Sequence, residues 1–214
     1  MLLKPEQRQK LDQSEDTLFY SVPRFVTHVD DNFIIQLTKL YQKKLNPNTR
    51  ILDLMSSWVS HLPPEMVFSH IEGHGMNKAE LQRNPRLSSY FVQDLNQNPQ
   101  LPLKDQDFDA VLCAVSIQYL QYPEAIFSEI YRILKAQGIA IFSFSNRMFY
   151  QKAIAVWRDA TEAQRIYLVK SYFQSVPGFS KPETFVIKPD FPSFWQMLGF
   201  AGADPFYVVY SYKT

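Results

Sequence analysis

Hydrophobic positions along the chain alternate between two rhythms. In NFIIQLTKLYQKKL, Phe33, Leu37, Leu40, Tyr41 and Leu45 recur at helical spacing, and Asp30 or Asp31 stands where it can cap that helix. The Pro47-Asn48 turn stops the pattern, and RILDLM follows with Ile51, Leu52 and Leu54 apolar, as in a strand buried between layers. ILDLMSSWVSHLP then reads as that strand running on into a helix. MVFSHIEGHG predicts a second strand, and in MNKAELQRNP the residues Asn77 and Glu80 have the spacing of a capping box at a helix start. SYFVQDL predicts a third strand, and DFDAVLCAVSI is a continuous apolar run of the kind found in a central parallel strand.

The next helix, YPEAIFSEIYRILKAQG, carries Pro123 and Glu124 in its first turn. Ile126, Ile130, Ile133 and Leu134 mark its inner face, with Lys135 late and Gly138 as terminator. IAIFSFSN predicts a fifth strand. MFYQKAIAVWRDATEAQRIYLVKSYF reads as one or two helices, and ETFVIKP and FYVVYSYK as two last strands joined by a loop around Gly199 and Gly202. The expected fold is α/β: a single domain over residues 1–214, Rossmann-like and doubly wound, with a mostly parallel sheet of about seven strands and helices on both faces. Residues 1–31 form an N-terminal lid segment in this reading, and 148–180 a helical segment before the last two strands. Ligands of such sheets bind beyond the carboxyl ends of the strands, which directs attention to Asp53 to Trp58, Gly73 to Asn77, Asp94 and Leu95, Val115 to Tyr119, and Ser145 to Arg147.

Composition narrows the function classes. A chain of 214 residues, 46% hydrophobic, is long enough to bury one full core. Its net charge of +1 supplies no basic field for a phosphate backbone, so nucleic acid is not expected as a partner. The single cysteine, Cys113, lies in an apolar run, and His61, His70 and His74 are scattered; neither a disulfide framework nor a metal site is expected. The start of the chain is too polar for a signal peptide and no apolar run is long enough for a bilayer, so a cytoplasmic protein without membrane attachment is expected, as monomer or homodimer.

RILDL, followed by FVQDLNQNPQLPLKDQDFDAVLCAVSIQYLQYPEAIFSEIYRILKAQGIAIFSFSN, resembles the class I S-adenosylmethionine-dependent methyltransferases, especially methyltransferase type 11. The order carries the likeness: an aspartate after the third strand, a Leu-Pro stretch, Phe-Asp opening the fourth strand, and a helix ending Arg-Ile-Leu-Lys before a glycine. The match covers roughly residues 50 to 147, and DPFYVVYSYK is a family-like tail. With FYSVPRFVTHVDD and DLMSSWVSHLP included, the chain is similar to a branch of that family that the resemblance ties to no substrate.

The resemblance implies S-adenosylmethionine as cofactor and assigns positions; a small-molecule acceptor is the leading expectation. Asp53 matches the acid that ends the first strand, but the three glycines that follow it in the family fall at Met55, Ser57 and Val59. Glycine there permits a left-handed backbone and close approach to the ligand. Two outcomes follow. Either the loop takes another path, with the Ser56 and Ser57 hydroxyls and backbone N–H groups facing the cofactor, or the pocket is closed and the chain is a non-catalytic binding or scaffold protein. Trp58 either stacks on a ligand or packs within the first helix. The acid that receives the ribose hydroxyls falls on Gly75, followed by Met76, with Asn77 as hydroxyl partner or simple helix cap; Glu72 has the opposite strand parity.

Asp94 matches the acid that accepts from the adenine amino group, with Leu95 against the ring; the alternative is that Asp94 only caps the turn of DLNQNP. Val115 and Ser116 fall where the family faces the methionine part, and Gln118 and Tyr119 toward the acceptor. In the lid segment Tyr20 and Arg24 are acceptor candidates, Arg24 binding a carboxylate or phosphate or else pairing with Asp30, and His28 is the candidate general base. Asn146 and Arg147, after the fifth strand, lie at the crevice edge as further acceptor contacts. A nicotinamide enzyme would need a Gly-x-Gly-x-x-Gly turn, and a serine hydrolase a Gly-x-Ser-x-Gly elbow; the chain has neither.

Overall fold

The computed structural model describes residues 2–188 and 203–214; the expected loop around Gly199 and Gly202 lies outside them. In chain order the elements are α1 (Asp16–Phe19), α2 (Asp31–Lys44), β1 (Arg50–Asp53), β2 (His70–Gly75), α3 (Lys78–Arg83), β3 (Ser89–Val92) and β4 (Phe108–Ala114). They continue with α4 (Pro123–Ile133), β5 (Leu134–Phe144), α5 (Ala155–Arg158), α6 (Glu162–Gln174), β6 (Glu183–Ile187) and β7 (Phe206–Tyr212). The strands form one sheet in the order β3-β2-β1-β4-β5-β7-β6. Its first five members are parallel, and β7 lies antiparallel between β5 and β6. This is the seven-stranded, mostly parallel α/β architecture expected from the alternating rhythms. The order turns back at β1 and β4, which places the crevice above their carboxyl ends.

Strand parity sorts the core into two layers. Leu52, Val111, Cys113, Ala140, Phe142 and Val209 point to the face covered by α4, α5 and α6. Ile51, Ala110, Leu112, Ile139, Ile141 and Val208 point to the other, covered by the Phe33, Leu37, Leu40 and Tyr41 stripe of α2. Asp30 caps α2, accepting the Phe33 N–H at 2.8 Å. Asn77 caps α3, accepting from Ala79 and Glu80.

Three local expectations change. No helix follows β1: residues 54–69 cross to β2 as an irregular loop, so Trp58 does not pack in a first helix. Left-handed backbone at Met55 (φ 56°) and His61 (φ 52°) interrupts any helical run, and Pro63-Pro64 keeps the residues before it extended. Helix α4 ends at Ile133, and Leu134 already begins β5, so Gly138 is not its terminator. There Lys135 pairs with Asp109 at 2.8 Å across the strand edge, and Gln137 takes the left-handed conformation (φ 63°). Finally, the Asn77–Glu80 pair forms only half a capping box. Asn77 caps the helix, while the Glu80 carboxylate turns away to other partners.

Candidate functional site

The carboxyl ends of β1, β2, β3 and β4 open into a cavity of about 670 Å³, covered on one side by the N-terminal segment and bordered by residues 146–150 after β5. All of the candidate residues from Tyr20 to Arg147 border it.

The loop after β1 is held by polar bonds. The buried Asp53 carboxylate accepts from Ser56 Oγ at 2.6 Å. Ser57 Oγ donates to Glu80 Oε2 at 2.6 Å, and Asn84 Nδ2 donates to the Ser57 carbonyl and to Ser60 Oγ. The two serine hydroxyls expected to face a ligand therefore point at carboxylates of the protein. Their backbone is committed as well. Met55 N–H donates to His74 Nδ1 at 3.1 Å and Ser56 N–H to the His74 carbonyl at 2.6 Å. Because Nδ1 accepts, the imidazole proton resides on Nε2, which lies 3.0 Å from the Gln93 carbonyl. His74 thus ties the ends of β1, β2 and β3 together. Nothing in the sequence pattern distinguished it from a scattered histidine.

Burial shifts both Asp53 and His74. It pushes the Asp53 carboxyl up to about 6, against hydrogen bonds from Ser56 and Ser60. It pushes His74 down to about 4.

Met55, which the resemblance sets at the family's first glycine, has a left-handed backbone (φ 56°), at a cost of roughly 1–2 kcal/mol for a residue with a side chain. Val115, at the end of the neighbouring β4, is also left-handed (φ 54°), an outlier for a β-branched residue. The two strained turns touch: Ser116 Oγ lies 2.9 Å from the Ala114 carbonyl and 3.3 Å from that of Met55. Val115 is pinned by its N–H to the Ser143 carbonyl and by its own carbonyl to Gln118 Nε2, each at 2.8 Å. Such strain survives only where neighbouring bonds over-determine it.

At Gly75 a side chain has no room, since a Cβ there would come within 2.5 Å of the Ser56 carbonyl oxygen. The loop after β1 thus crowds the place where the resemblance puts an acid. Met76 borders the cavity, and Asn77 has both ends of its amide occupied, by α3 and by the Tyr20 and Ser21 carbonyls. Glu72 bonds to His70 and Ser89, away from the cavity. The carboxylate that does enter from this side is Glu80, whose other oxygen accepts the Arg24 N–H at 2.7 Å.

Asp94 caps its turn through the Asn96 N–H at 2.8 Å, and its second oxygen has no donor among the described residues. It also borders the cavity, beside buried Leu95, so its two readings coexist.

The N-terminal segment is anchored by buried charges that the hydrophobic pattern did not reveal. Lys152, fully buried, meets Asp12 at 3.1 Å, and Lys10 pairs with Asp16. Asn96 Nδ2 donates to Asp16 at 3.0 Å, and Trp58 Nε1 donates to the Val26 carbonyl at 3.2 Å, closing the segment onto the loops after β3 and β1. Arg24 does not pair with Asp30, which is engaged with Phe33 and Asp204. Its guanidinium lies over Phe19 (4.6 Å), Phe149 (5.3 Å) and Tyr20 (5.9 Å) instead. The His28 ring rests edge-on against Phe149 at 5.2 Å, and desolvation there lowers its pKa. Arg147 is paired with buried Asp204 at 2.6 Å, while Asn146 is exposed at the rim. Among the described residues there is no cluster of metal-ligating side chains and no helix long and apolar enough to cross a membrane.

Residues 66–142 match the family model of the methyltransferase domain named Methyltransf_11. Solved structures align over most of the chain. One is phosphoethanolamine N-methyltransferase 2 of Haemonchus contortus in complex with S-adenosylmethionine (15% identity, 86% of this chain, 52% of that one, TM-score 0.58). Others are a methyltransferase of Haloferax volcanii in complex with the activator Trm112 (16%, 86% and 91%, 0.62) and an S-adenosylmethionine-dependent methyltransferase of Thermotoga maritima (19%, 86% and 90%, 0.58). The chain spans about half the length of the Haemonchus enzyme. No curated protein matches the sequence. The sheet topology and these alignments show that the chain has the fold of the class I methyltransferases.

Proposed function

We propose that the chain is an S-adenosylmethionine-dependent methyltransferase acting on a small-molecule acceptor. The observation that carries this is the 670 Å³ cavity at the carboxyl ends of β1 to β4, walled by Asp94, Leu95, Gln118 and aromatic residues of the N-terminal segment. The residues fit the cofactor in most parts. Asp94 has an oxygen free for the adenine amino group, and Leu95 supplies an apolar surface for the ring. The ribose is held differently from the family pattern on this reading: Gly75 offers no carboxylate and Glu80 takes its place, steadied by Ser57 and Arg24. When bound, the cofactor supplies an electrophilic methyl group on a sulfonium. The chain's own residues orient the acceptor and exclude water, which is most of what such a transfer requires. His28, its pKa lowered, is neutral at pH 7 and able to take a proton from the acceptor. The setting on this reading is the cytoplasm, where the buried Cys113 stays reduced, with monomer and homodimer equally compatible.

One observation favours the alternative, a methyltransferase-fold binding or scaffold protein without catalysis. The N–H groups of Met55 and Ser56 and the hydroxyls of Ser56 and Ser57 all bond within the protein rather than facing the cavity. Isothermal titration with S-adenosylmethionine and S-adenosylhomocysteine separates the two. The enzyme reading expects saturable heat with both, whereas no heat and no thermal shift at millimolar ligand leaves the binding protein.

A further inference from the structure

Asn96 lies in the turn after β3, at the edge of the cavity, where three parts of the chain meet. Its backbone N–H donates to Asp94 Oδ1 at 2.8 Å. Its side-chain oxygen accepts the Gln121 N–H at 2.8 Å, which fixes the amide orientation. Its side-chain nitrogen donates to Asp16 at 3.0 Å and to the Tyr119 carbonyl at 3.1 Å. One residue thus binds Asp94, the segment after β4 and the N-terminal segment. The last two are joined a second time: buried Arg8 donates to the Gln121 carbonyl and pairs with Glu124, and Gln121 Nε2 donates to the Arg8 carbonyl at 3.1 Å.

Four carboxylates border the cavity, and their partners differ. Asp16 is neutralised by Lys10 and Lys152, Asp53 accepts from Ser56, and Glu80 accepts from Ser57 and from the Arg24 N–H. Asp94 is only partly buried and keeps one oxygen without a donor among the described residues. Because Asn96 holds the other oxygen, the direction of the free one follows from where the Asn96 turn is pinned. Every arm of the Asn96 amide has a partner, the condition under which a polar network is rigid. Burial lowers the Lys10 pKa, and the charges of Asp16 and Asp94 both oppose that shift, so the buried anchor and the Asp94 carboxylate act on one another.

We propose that Asn96 is the positioning residue for the base of a bound nucleoside. By tying the Asp94 turn to Asp16 and to the segment after β4, it aims the free Asp94 oxygen at the exocyclic amino group, which makes the N-terminal segment part of the base pocket. That a purine lies here rests on the methyltransferase reading above; the wiring rests on the hydrogen bonds alone.

The test titrates the full chain calorimetrically with adenosine and with purine riboside, which differs only in lacking the amino group. The unaltered chain is expected to bind adenosine about tenfold more tightly. In Asn96→Ala that preference is expected to disappear, whereas loss of a merely structural residue lowers both affinities alike and leaves the preference. Equal affinities in the unaltered chain overturn the proposal, and so does an unchanged preference in Asn96→Ala. If that variant does not fold, the Asn96 backbone amide resonance of the unaltered chain decides. It is expected to shift with adenosine and not with purine riboside; equal shifts overturn the proposal. S-adenosylhomocysteine titrated into the same preparation keeps the two ideas apart. Selective adenosine binding without cofactor heat sinks the methyltransferase reading but not the role of Asn96. Cofactor heat without adenosine preference sinks Asn96 only, and no binding of any of the three sinks both.

Discussion

The crossover from β4 to β5 and the crossover from β1 to β2 solve the same problem with different chemistry. Between β4 and β5 the chain runs through α4, whose Ile126, Phe127, Ile130 and Ile133 are all fully buried against the sheet. Phe127 stacks on Phe142 at 4.7 Å and meets Phe173 edge-on at 4.8 Å. Between β1 and β2 there is no helix, and the connection is tied by Asp53, Ser56, Ser57, His74, Glu80 and Asn84. The first is secured by apolar area. The second is secured by hydrogen bonds and buried titratable groups, and it forms the wall of the cavity. Apolar packing makes the frame, and a polar network shapes the part that meets a ligand.

Four changes probe this difference. Phe127→Ala removes a ring from the apolar crossover and is expected to cost about 3–5 kcal/mol, roughly 10 °C or more in melting temperature for a chain of this size, with no change in the pH profile. Gly75→Ala places a Cβ against the Ser56 carbonyl and is expected to cost about 2 kcal/mol in denaturant unfolding, since backbone rather than a pliant side chain must move. A stability close to the unaltered chain would show that the β1 loop is not fixed there.

Asp53→Asn exposes a pH dependence that two opposed shifts conceal. His74 is held at about 4 against an ordinary 6.5, so between those values the unfolded chain binds its proton and stability rises with pH. Asp53 is held at about 6 against an ordinary 3.8, so the folded chain keeps its proton longer and stability falls over nearly the same window. The two contributions oppose. With Asn at 53, stability measured by urea unfolding is expected to climb on the order of 2 kcal/mol from pH 4 to 6.5; a profile no steeper than the unaltered chain's would refute these opposed shifts. Met55→Gly is the smallest change and has the opposite sign. Relief of a left-handed side-chain residue is expected to stabilise by about 1 kcal/mol or less, offset in part by the added freedom of glycine in the unfolded chain.

The helical and strand rhythms made the frame legible because buried apolar residues recur with a period, as in Phe33, Leu37 and Leu40 of α2 or the run through β4. The loop after β1 was not legible for the same reason: its partners are polar, lie far apart in sequence, and follow no period. His74 reads as one more histidine until Met55 and Gln93 are seen on its two nitrogens. Ser56 and Ser57 border the cavity, but their hydroxyls go to Asp53 and Glu80, and only the folded geometry brings Glu80 near. The boundary of α4 was misjudged because Gly138 looks like a terminator, whereas the Leu134 backbone already pairs with Phe108 in the sheet. Lys10, Asp16 and Lys152, polar in sequence and buried in the fold, are a third such case.

The account stands most directly on whether the cavity above β1 to β4 accepts the cofactor despite its glycine-free loop, and a crystal structure of the chain grown with S-adenosylhomocysteine measures that. The expected result is the adenine against Leu95 with its amino group on Asp94, and the ribose hydroxyls on Glu80. Crystals grown at saturating ligand that show no density there, or an adenine away from Asp94, would contradict it.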